Sequence, residues 1–322
     1  MTQSRTADRQ GPDTRSVGVI GLGQMGRGIA ANLDRAGHLR AAFDIAPDAL
    51  DRAGLSADVE RVPPAEIGAS CDVVLMVLPA SPEIASCLLG DDGLLAPCRE
   101  GQVLVDLTTS YPADTVALAD AAGKAGRAYI DCGMTGGAAG ADNGTLTLMV
   151  GGEEAAVDHV RPILETIASR IFHVGPTGAG HTLKLIHNMV LHTVFLATCE
   201  GARAAERAGL DLARVIEVFN AGNARSFVTE VRFPKHILSG SFDGRSYVSN
   251  LAKDLGMAAR FVREIDAPAL YGPLTSMLLD QAVARGMGRD DFTLLYRHMD
   301  TLLADADLTQ LARAGDGPPT NG

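Results

Sequence analysis

The sequence predicts an α/β fold that gives way, past the middle of the chain, to an almost wholly helical region. Three observations predict it. Short apolar runs alternate with Gly- and Pro-rich turns and helix-like stretches up to about residue 177, the pattern of helices wound on a parallel sheet. The first of those runs leads directly into Gly21-Leu22-Gly23-Gln24-Met25-Gly26. A proline-free stretch from about Gly180 to Ala208 then opens a region with helical periodicity throughout.

Val17 to Ile20 reads as a short buried strand, followed at once by the glycine-rich turn and a helix that stops at Gly37. A second strand, Leu39 to Phe43, ends at Asp44. Strand, G-x-G-x-x-G, helix, strand and acid in this order form a Rossmann-type dinucleotide-binding unit. Gly21 allows the tight turn, Gly23 lets the backbone approach a pyrophosphate, and Gly26 lets the helix pack close to the strand. The N–H groups at the helix start would hold the anion, with Leu22, Gln24 and Met25 lining the same turn. Asp44 would accept hydrogen bonds from the adenosine ribose, and its charge would repel a 2′-phosphate. Ile45 and Ala46 follow it, and the nearest basic residues are Arg40 and Arg52. NAD is therefore the expected cofactor, with NADP disfavoured.

The alternation continues with strands at Val73 to Leu78, closed by Pro79, at Val103 to Asp106, and at Ala128 to Asp131. Ligands bind at the carboxyl ends of such strands, which places Leu78, Pro79, Thr108 and Thr109 along the cofactor. Thr108 and Thr109 could equally cap the helix that Pro112 begins. Thr135-Gly136-Gly137 offers a hydroxyl and unhindered backbone N–H groups suited to a carboxylate; on pattern alone it reads first as a glycine turn. Strands at about Gly144 to Gly152 and Ile171 to Val174 complete the region.

Gly178 to Asn188 opens the long helix, and from Leu185 to Cys199 there is no Asp, Glu, Lys or Arg. A helix apolar all round is expected to be buried, and His187, Asn188 and His192 argue against a membrane span. Lys184 stands at its mouth with Asn188 one turn on. The chain has four lysines, Lys124, Lys184, Lys235 and Lys253, against 24 arginines. Only lysine can give up a proton near neutral pH when its surroundings favour it. The alternative is a side chain that snorkels to solvent.

Helices are expected from Asp211 to about Asn220, Phe227 to Leu238, Val248 to Glu264, Pro273 to Arg285 and Asp291 to Leu303. Within them Lys253-Asp254 reads, by itself, as a surface ion pair. The net charge of −11 argues against nucleic acid or an anionic membrane as partner. Cys71, Cys87, Cys98, Cys132 and Cys199 are too widely spaced for a zinc site or a disulfide framework. They suit free thiols in a reducing cytoplasm. Residues 1–15 lack a signal peptide's apolar core; they and 305–322 are expected to be disordered ends.

Taken together, five blocks in order resemble the β-hydroxyacid dehydrogenase family, the group that includes 3-hydroxyisobutyrate dehydrogenase. They are Gly21 to Gly26 continuing to Asn32, Asp106-Leu107-Thr108-Thr109, Thr135-Gly136-Gly137, Gly178-x-Gly180-x-x-x-Lys184-x-x-x-Asn188, and Lys253-Asp254. The resemblance implies a dinucleotide-binding domain over 16–177, an interdomain helix over 178–209, and an all-helical domain over 210–304. It implies that Lys184 is the general acid/base, that Asn188 helps to place it and the substrate, and that Thr135, Gly136 and Gly137 hold a small substrate's carboxylate. Lys253 would reach toward cofactor and substrate. Hydride transfer between a 3-hydroxy acid and its semialdehyde or keto form is the implied reaction; apart from the resemblance, the apolar helices after Gly209 suit a homodimer or homotetramer.

The chain departs from the family pattern in three places. Thr135 replaces a usual serine, Ser246 a phenylalanine, and Asn250 an apolar residue. Asn250 thereby becomes a candidate substrate contact, and the substrate is expected to be more hydroxylated than 3-hydroxyisobutyrate. Competing readings are a semialdehyde or imine reductase on the same scaffold, or a non-catalytic dinucleotide sensor. Lys184 counts against the imine reductases, which usually replace that lysine. A sensor would not need Lys184, Asn188 and Thr135 together.

Overall fold

The computed structural model describes residues 15–96 and 99–304. The ends expected to be disordered therefore lie, apart from Arg15, outside the described residues, as does Cys98. The chain divides into two compact units with the boundary between Lys184 and Leu185.

The first unit begins with β1 (Val17–Ile20), α1 (Gly26–Arg35), β2 (Leu39–Phe43), α2 (Ala49–Ala53), β3 (Glu60–Arg61) and α3 (Pro64–Ser70). Next come β4 (Val73–Met76), α4 (Ser81–Leu89), β5 (Val103–Asp106), α5 (Pro112–Lys124) and β6 (Ala128–Thr135). The unit closes with α6 (Gly137–Asn143), β7 (Leu146–Gly151), α7 (Glu154–Leu164), β8 (Ala168–Gly175) and the start of α8 (Ala179–Arg207). The strands form one sheet in the order β3-β2-β1-β4-β5-β6-β7-β8. Every pair is parallel except β6 and β7.

Burial on both faces explains why the central strands β1, β4 and β5 are nearly continuous apolar runs. Val73 and Leu75 pack with Ile29, Leu33 and Val160 on one side, while Val74 and Met76 pack with Ile67, Ile84 and Leu118 on the other. The reversal at β6–β7 was not anticipated. β6 is also longer than the expected Ala128 to Asp131, because it stays paired as far as Thr135 opposite Thr147.

The second unit holds the rest of α8, then α9 (Leu212–Ala221), a π-helix (Val228–Leu238), α10 (Val248–Glu264), α11 (Tyr271–Ala284) and α12 (Leu295–Ala304). Asp211 caps α9 as expected, accepting the Arg214 N–H at 3.0 Å. Phe195, Phe233, Leu255, Leu279, Phe292 and Met299 form its core. Arg203 on α8 donates to Asp300 on α12 at 2.6 Å and to Glu206 at 2.7 Å.

Two expectations need correction. The segment read as an ordinary helix from Phe227 to Leu238 is a π-helix with Pro234 inside it. Pro234 has no N–H to donate, so it leaves a gap in the hydrogen-bond ladder of this segment. Nor is α8 buried all round between Leu185 and Cys199. Leu185, Asn188, His192, Phe195, Leu196 and Cys199 form one buried stripe, while Val190 on another side is 57% exposed. Absence of charge is not a sign of burial when a single stripe meets the core.

Candidate functional site

In the first unit the glycine-rich turn is built around close approaches. Gly21 has φ +93°, and a Cβ there would lie 2.2 Å from the Val77 carbonyl oxygen. A Cβ on Gly26 would lie 1.9 Å from the Gly21 carbonyl oxygen, so neither position admits a side chain. Around Gly23, by contrast, a Cβ would meet nothing within 4 Å. That open space above the turn is where a pyrophosphate would need to come. The start of α1 is left for an anion: Met25 at its N-cap makes no side-chain cap, and the first turn holds no acidic residue. The geometry fits a dinucleotide.

Asp44 closes the turn from the end of β2. Its Oδ2 accepts the Leu22 N–H at 2.6 Å and its Oδ1 accepts the Ala46 N–H at 2.8 Å. Each oxygen keeps a further lone pair for a ribose hydroxyl. Arg40 is paired with Glu60 at 3.3 Å and Arg52 with Asp48 at 3.4 Å. The loops after β4 and β5 are tied together, since the Leu78 N–H donates to Thr108 Oγ1 at 3.2 Å. Thr108 is buried by that role, while Pro79 is exposed and Thr109 half-buried beside it. Asn32 fastens α1 to α6, its amide donating to the Gly28 and Ala141 carbonyls, both at 2.8 Å.

Thr135 ends β6, and α6 begins two residues later. Gly136 and Gly137 are exposed, with φ of +122° and +63°. The block is thus both things the sequence allowed, a glycine turn and a hydroxyl beside accessible backbone. Lys184 joins it. A Cβ on Gly133 would lie 2.6 Å from Lys184 Cβ, so the lysine stem rests on the strand where that side chain is missing. Side chains alternate along a strand, and Gly133 and Thr135 share a face. Lys184 and Thr135 are therefore brought to the same side of β6.

The contacts of three buried polar residues of this unit, Asp106, Asp131 and His181, escaped the sequence reading, although Asp106 stood in one of its five blocks. Asp131 and Asp106 are both fully buried. Asp106 accepts the Thr108 N–H at 2.9 Å and the Tyr129 hydroxyl at 2.8 Å. Burial, and then the Asp106 charge, raise the Tyr129 phenol far above its ordinary value and keep it a donor. Asp131 accepts the N–H groups of Gly178 at 2.6 Å and His181 at 2.8 Å. His181, also fully buried, bonds Thr115 Oγ1 through Nδ1 at 2.8 Å and the Asp106 carbonyl through Nε2 at 3.2 Å. An acid at the carboxyl end of an apolar strand was the one available signal, and its partners lie far along the chain.

In the second unit Asn188 is buried, and its amide donates to Asp254 Oδ2 at 2.7 Å. Asp254 Oδ1 lies 3.4 Å from Lys253 Nζ. The pair read as a surface ion pair is thus also the anchor of Asn188, because Asp254 is mostly buried. Asn250 is exposed, one turn before Asp254 on α10, and its amide reaches Ser246 Oγ at 3.4 Å. Asn250, Lys253 and Asp254 lie on neighbouring turns of one helix face.

A family profile for the NAD binding domain of 6-phosphogluconate dehydrogenase matches residues 16–175. A second, for the NAD-binding region of NADP-dependent 3-hydroxyisobutyrate dehydrogenase, matches residues 178–299. The chain is 32% identical to 2-(hydroxymethyl)glutarate dehydrogenase of Eubacterium barkeri, over 87% of this chain and 93% of that one. It is also 32% identical to an NAD-dependent L-serine dehydrogenase of Pseudomonas aeruginosa, over 89% and 98%. Among solved structures, Mycobacterium tuberculosis 3-hydroxyisobutyrate dehydrogenase with L-serine superposes with a TM-score of 0.81 at 29% identity, covering 89% of this chain and 99% of that one.

Proposed function

This chain belongs to the β-hydroxyacid dehydrogenase family and is an NAD(P)-binding oxidoreductase; we propose that it interconverts a small 3-hydroxy acid and its semialdehyde or keto form, with NAD as the preferred cofactor. The observation that carries this reading is the placement of the Lys184 stem on β6, on the face that Thr135 shares. The Thr135 hydroxyl and the stem of Lys184 then share one face of β6, next to the backbone donors of Gly136 and Gly137.

In oxidation the bound nicotinamide accepts the hydride. Lys184 takes the hydroxyl proton, and in reduction it returns that proton to the forming alkoxide. Thr135, Gly136 and Gly137 hold the carboxylate through the Thr135 hydroxyl and backbone N–H groups. Asn188, braced by Asp254, helps to place the substrate, with Asn250 and Lys253 contributing from α10. Residues 16–177 form the cofactor domain, 178–209 the connecting helix and 210–304 the helical domain.

The names of the relatives support the substrate class. L-Serine and 2-(hydroxymethyl)glutarate both carry a hydroxymethyl group on the carbon next to a carboxylate. Polar Ser246 and Asn250 favour a substrate with a further polar substituent. Asp44 supports NAD, since a carboxylate beside the ribose meets like charge in NADP, and Arg40 and Arg52 are both engaged with acids. No helix among the described residues is long and apolar enough to cross a membrane. Free, buried thiols at Cys71, Cys132 and Cys199 suit a cytoplasmic protein. Exposed apolar side chains such as Val190 and Val218, at 57% and 67%, suit a homodimer or homotetramer.

The test is absorbance at the reduced-nicotinamide band with a panel of 3-hydroxy acids and semialdehydes. Turnover of 3-hydroxy acids in one direction and semialdehydes in the other is expected. Turnover of cyclic imines alone would favour the imine reductase reading, and binding of dinucleotide without turnover of any member would favour a sensor.

A further inference from the structure

We propose that Asp131 is the positioning residue for Lys184, an inference that rests on Lys184 being the general acid/base. Asp131 sits in β6 and is fully buried. One of its carboxylate oxygens accepts the N–H of Gly178, just before α8, and the other that of His181, in the first turn. A helix start leaves several N–H groups without intrahelical partners. Here a single carboxylate from a distant strand gathers two of them, at the end of the helix where negative charge is favoured.

The same contact fixes how near the helix comes to the sheet. A Cβ on Gly180 would lie 2.5 Å from the Met149 carbonyl oxygen and 2.6 Å from that of Asp131. A Cβ on Gly151 would lie 2.5 Å from Asp131 Oδ1 and 2.8 Å from the Gly180 nitrogen. The helix start is therefore in backbone contact with β6 and β7, and Asp131 reaches into that contact. His181 holds the helix from another side through Thr115 and the Asp106 carbonyl.

Alternation along β6 makes this a positioning device. Asp131, Gly133 and Thr135 share one face of the strand. Asp131 takes the helix N–H groups, Gly133 bears the Lys184 stem, and Thr135 leads the carboxylate block. Height and rotation of the first turn of α8, set by Asp131, pass directly to the amine one turn later. Asp131→Asn keeps the size of the side chain but turns one acceptor into an NH₂ group facing an N–H. The first turn must then shift, and a misplacement of about 1 Å at a reacting group costs on the order of 100-fold in rate.

The experiment is a double-mutant cycle on the full chain: wild type, Asp131→Asn, Lys184→Ala, and both. Asp131→Asn is expected to lower kcat on the order of 100-fold while dinucleotide Kd stays within about twofold. In the Lys184→Ala background it is expected to change the residual kcat little, because the group it positions is gone. An equal fold-loss in both backgrounds would show that Asp131 does not act through Lys184, and a folded Asp131→Asn with wild-type kcat would show no role at all. Near wild-type turnover by Lys184→Ala would instead remove the assignment of Lys184, a result the cycle reads separately. Asp131→Ser, which keeps one acceptor in less volume, serves in the same cycle with the same outcomes if the asparagine variant does not fold.

Discussion

Gly180→Ala adds one methyl group where α8 meets the sheet. The new Cβ would face two carbonyl oxygens, of Met149 at 2.5 Å and Asp131 at 2.6 Å, and Asp131 Oδ2 at 2.9 Å. Both carbonyls belong to paired strands and cannot rotate away as a side chain could. To reach a separation of about 3.5 Å the helix start must lift by roughly 1 Å. Overpacking of this kind costs about 1–3 kcal/mol of stability. The larger consequence is for Lys184, one turn on, since a displacement of about 1 Å can cost on the order of 100-fold in rate. Chemical unfolding gives the first quantity, and steady-state turnover with a separate dinucleotide titration gives the second. The expected variant is moderately destabilised, binds dinucleotide normally and has a much lower kcat. A variant with wild-type stability and wild-type kcat would refute the claim that this contact sets the position of the lysine.

Asp44→Ala is expected to narrow the preference for NAD over NADP, a preference placed at roughly 5- to 150-fold from about 1–3 kcal/mol of charge-assisted hydrogen bonding. Measuring kcat/KM with both cofactors decides it, and a wild type that prefers NADP would show that Asp44 does not face the ribose. Substrate analogues with an amide or ester in place of the carboxylate should lose most of their kcat/KM, at about 1.5–3 kcal/mol per lost charged hydrogen bond; equal turnover of acids and neutral analogues would remove the Thr135 block from carboxylate binding. The Arg203 hydrogen bond outweighs burial and holds the Asp300 carboxyl below its ordinary value of 3.8. Its stabilisation is thus present above that value and lost as pH falls through the lower folded value, so the stability gap to Asp300→Asn in urea should close on acidification, and a gap independent of pH would exclude the charge as its source.

Much of the fold was legible because its signals are local. Strand β5 covers the apolar run Val103 to Asp106 and helix α10 the periodic stretch Val248 to Glu264, each with the bounds that the sequence suggests. The glycine-rich turn and Asp44 could be placed because only glycine fits the approaches at Gly21 and Gly26. What could not be read depends on distant partners. Asp131 meets N–H groups 47 and 50 residues away, and Asp254 meets Asn188 across 66 residues. The antiparallel turn of β7 depends on pairing with β6 and leaves no mark in the composition of either strand. Between Leu185 and Cys199 the exposed side of α8 is as uncharged as its buried side, so no pattern separates them before the helix is packed. Pro234 alone does not announce the π-helix, because α7 holds Pro162 within an α-helix.

The most direct measurement is the comparison of Lys184→Ala with wild type in two assays, turnover of the best 3-hydroxy acid and binding of dinucleotide alone. A loss of at least about 100-fold in kcat, the scale of a general acid/base, with unchanged dinucleotide Kd is the expected result. Near wild-type kcat, or a loss of dinucleotide binding as large as the loss of turnover, would contradict the assignment of Lys184 to the chemistry.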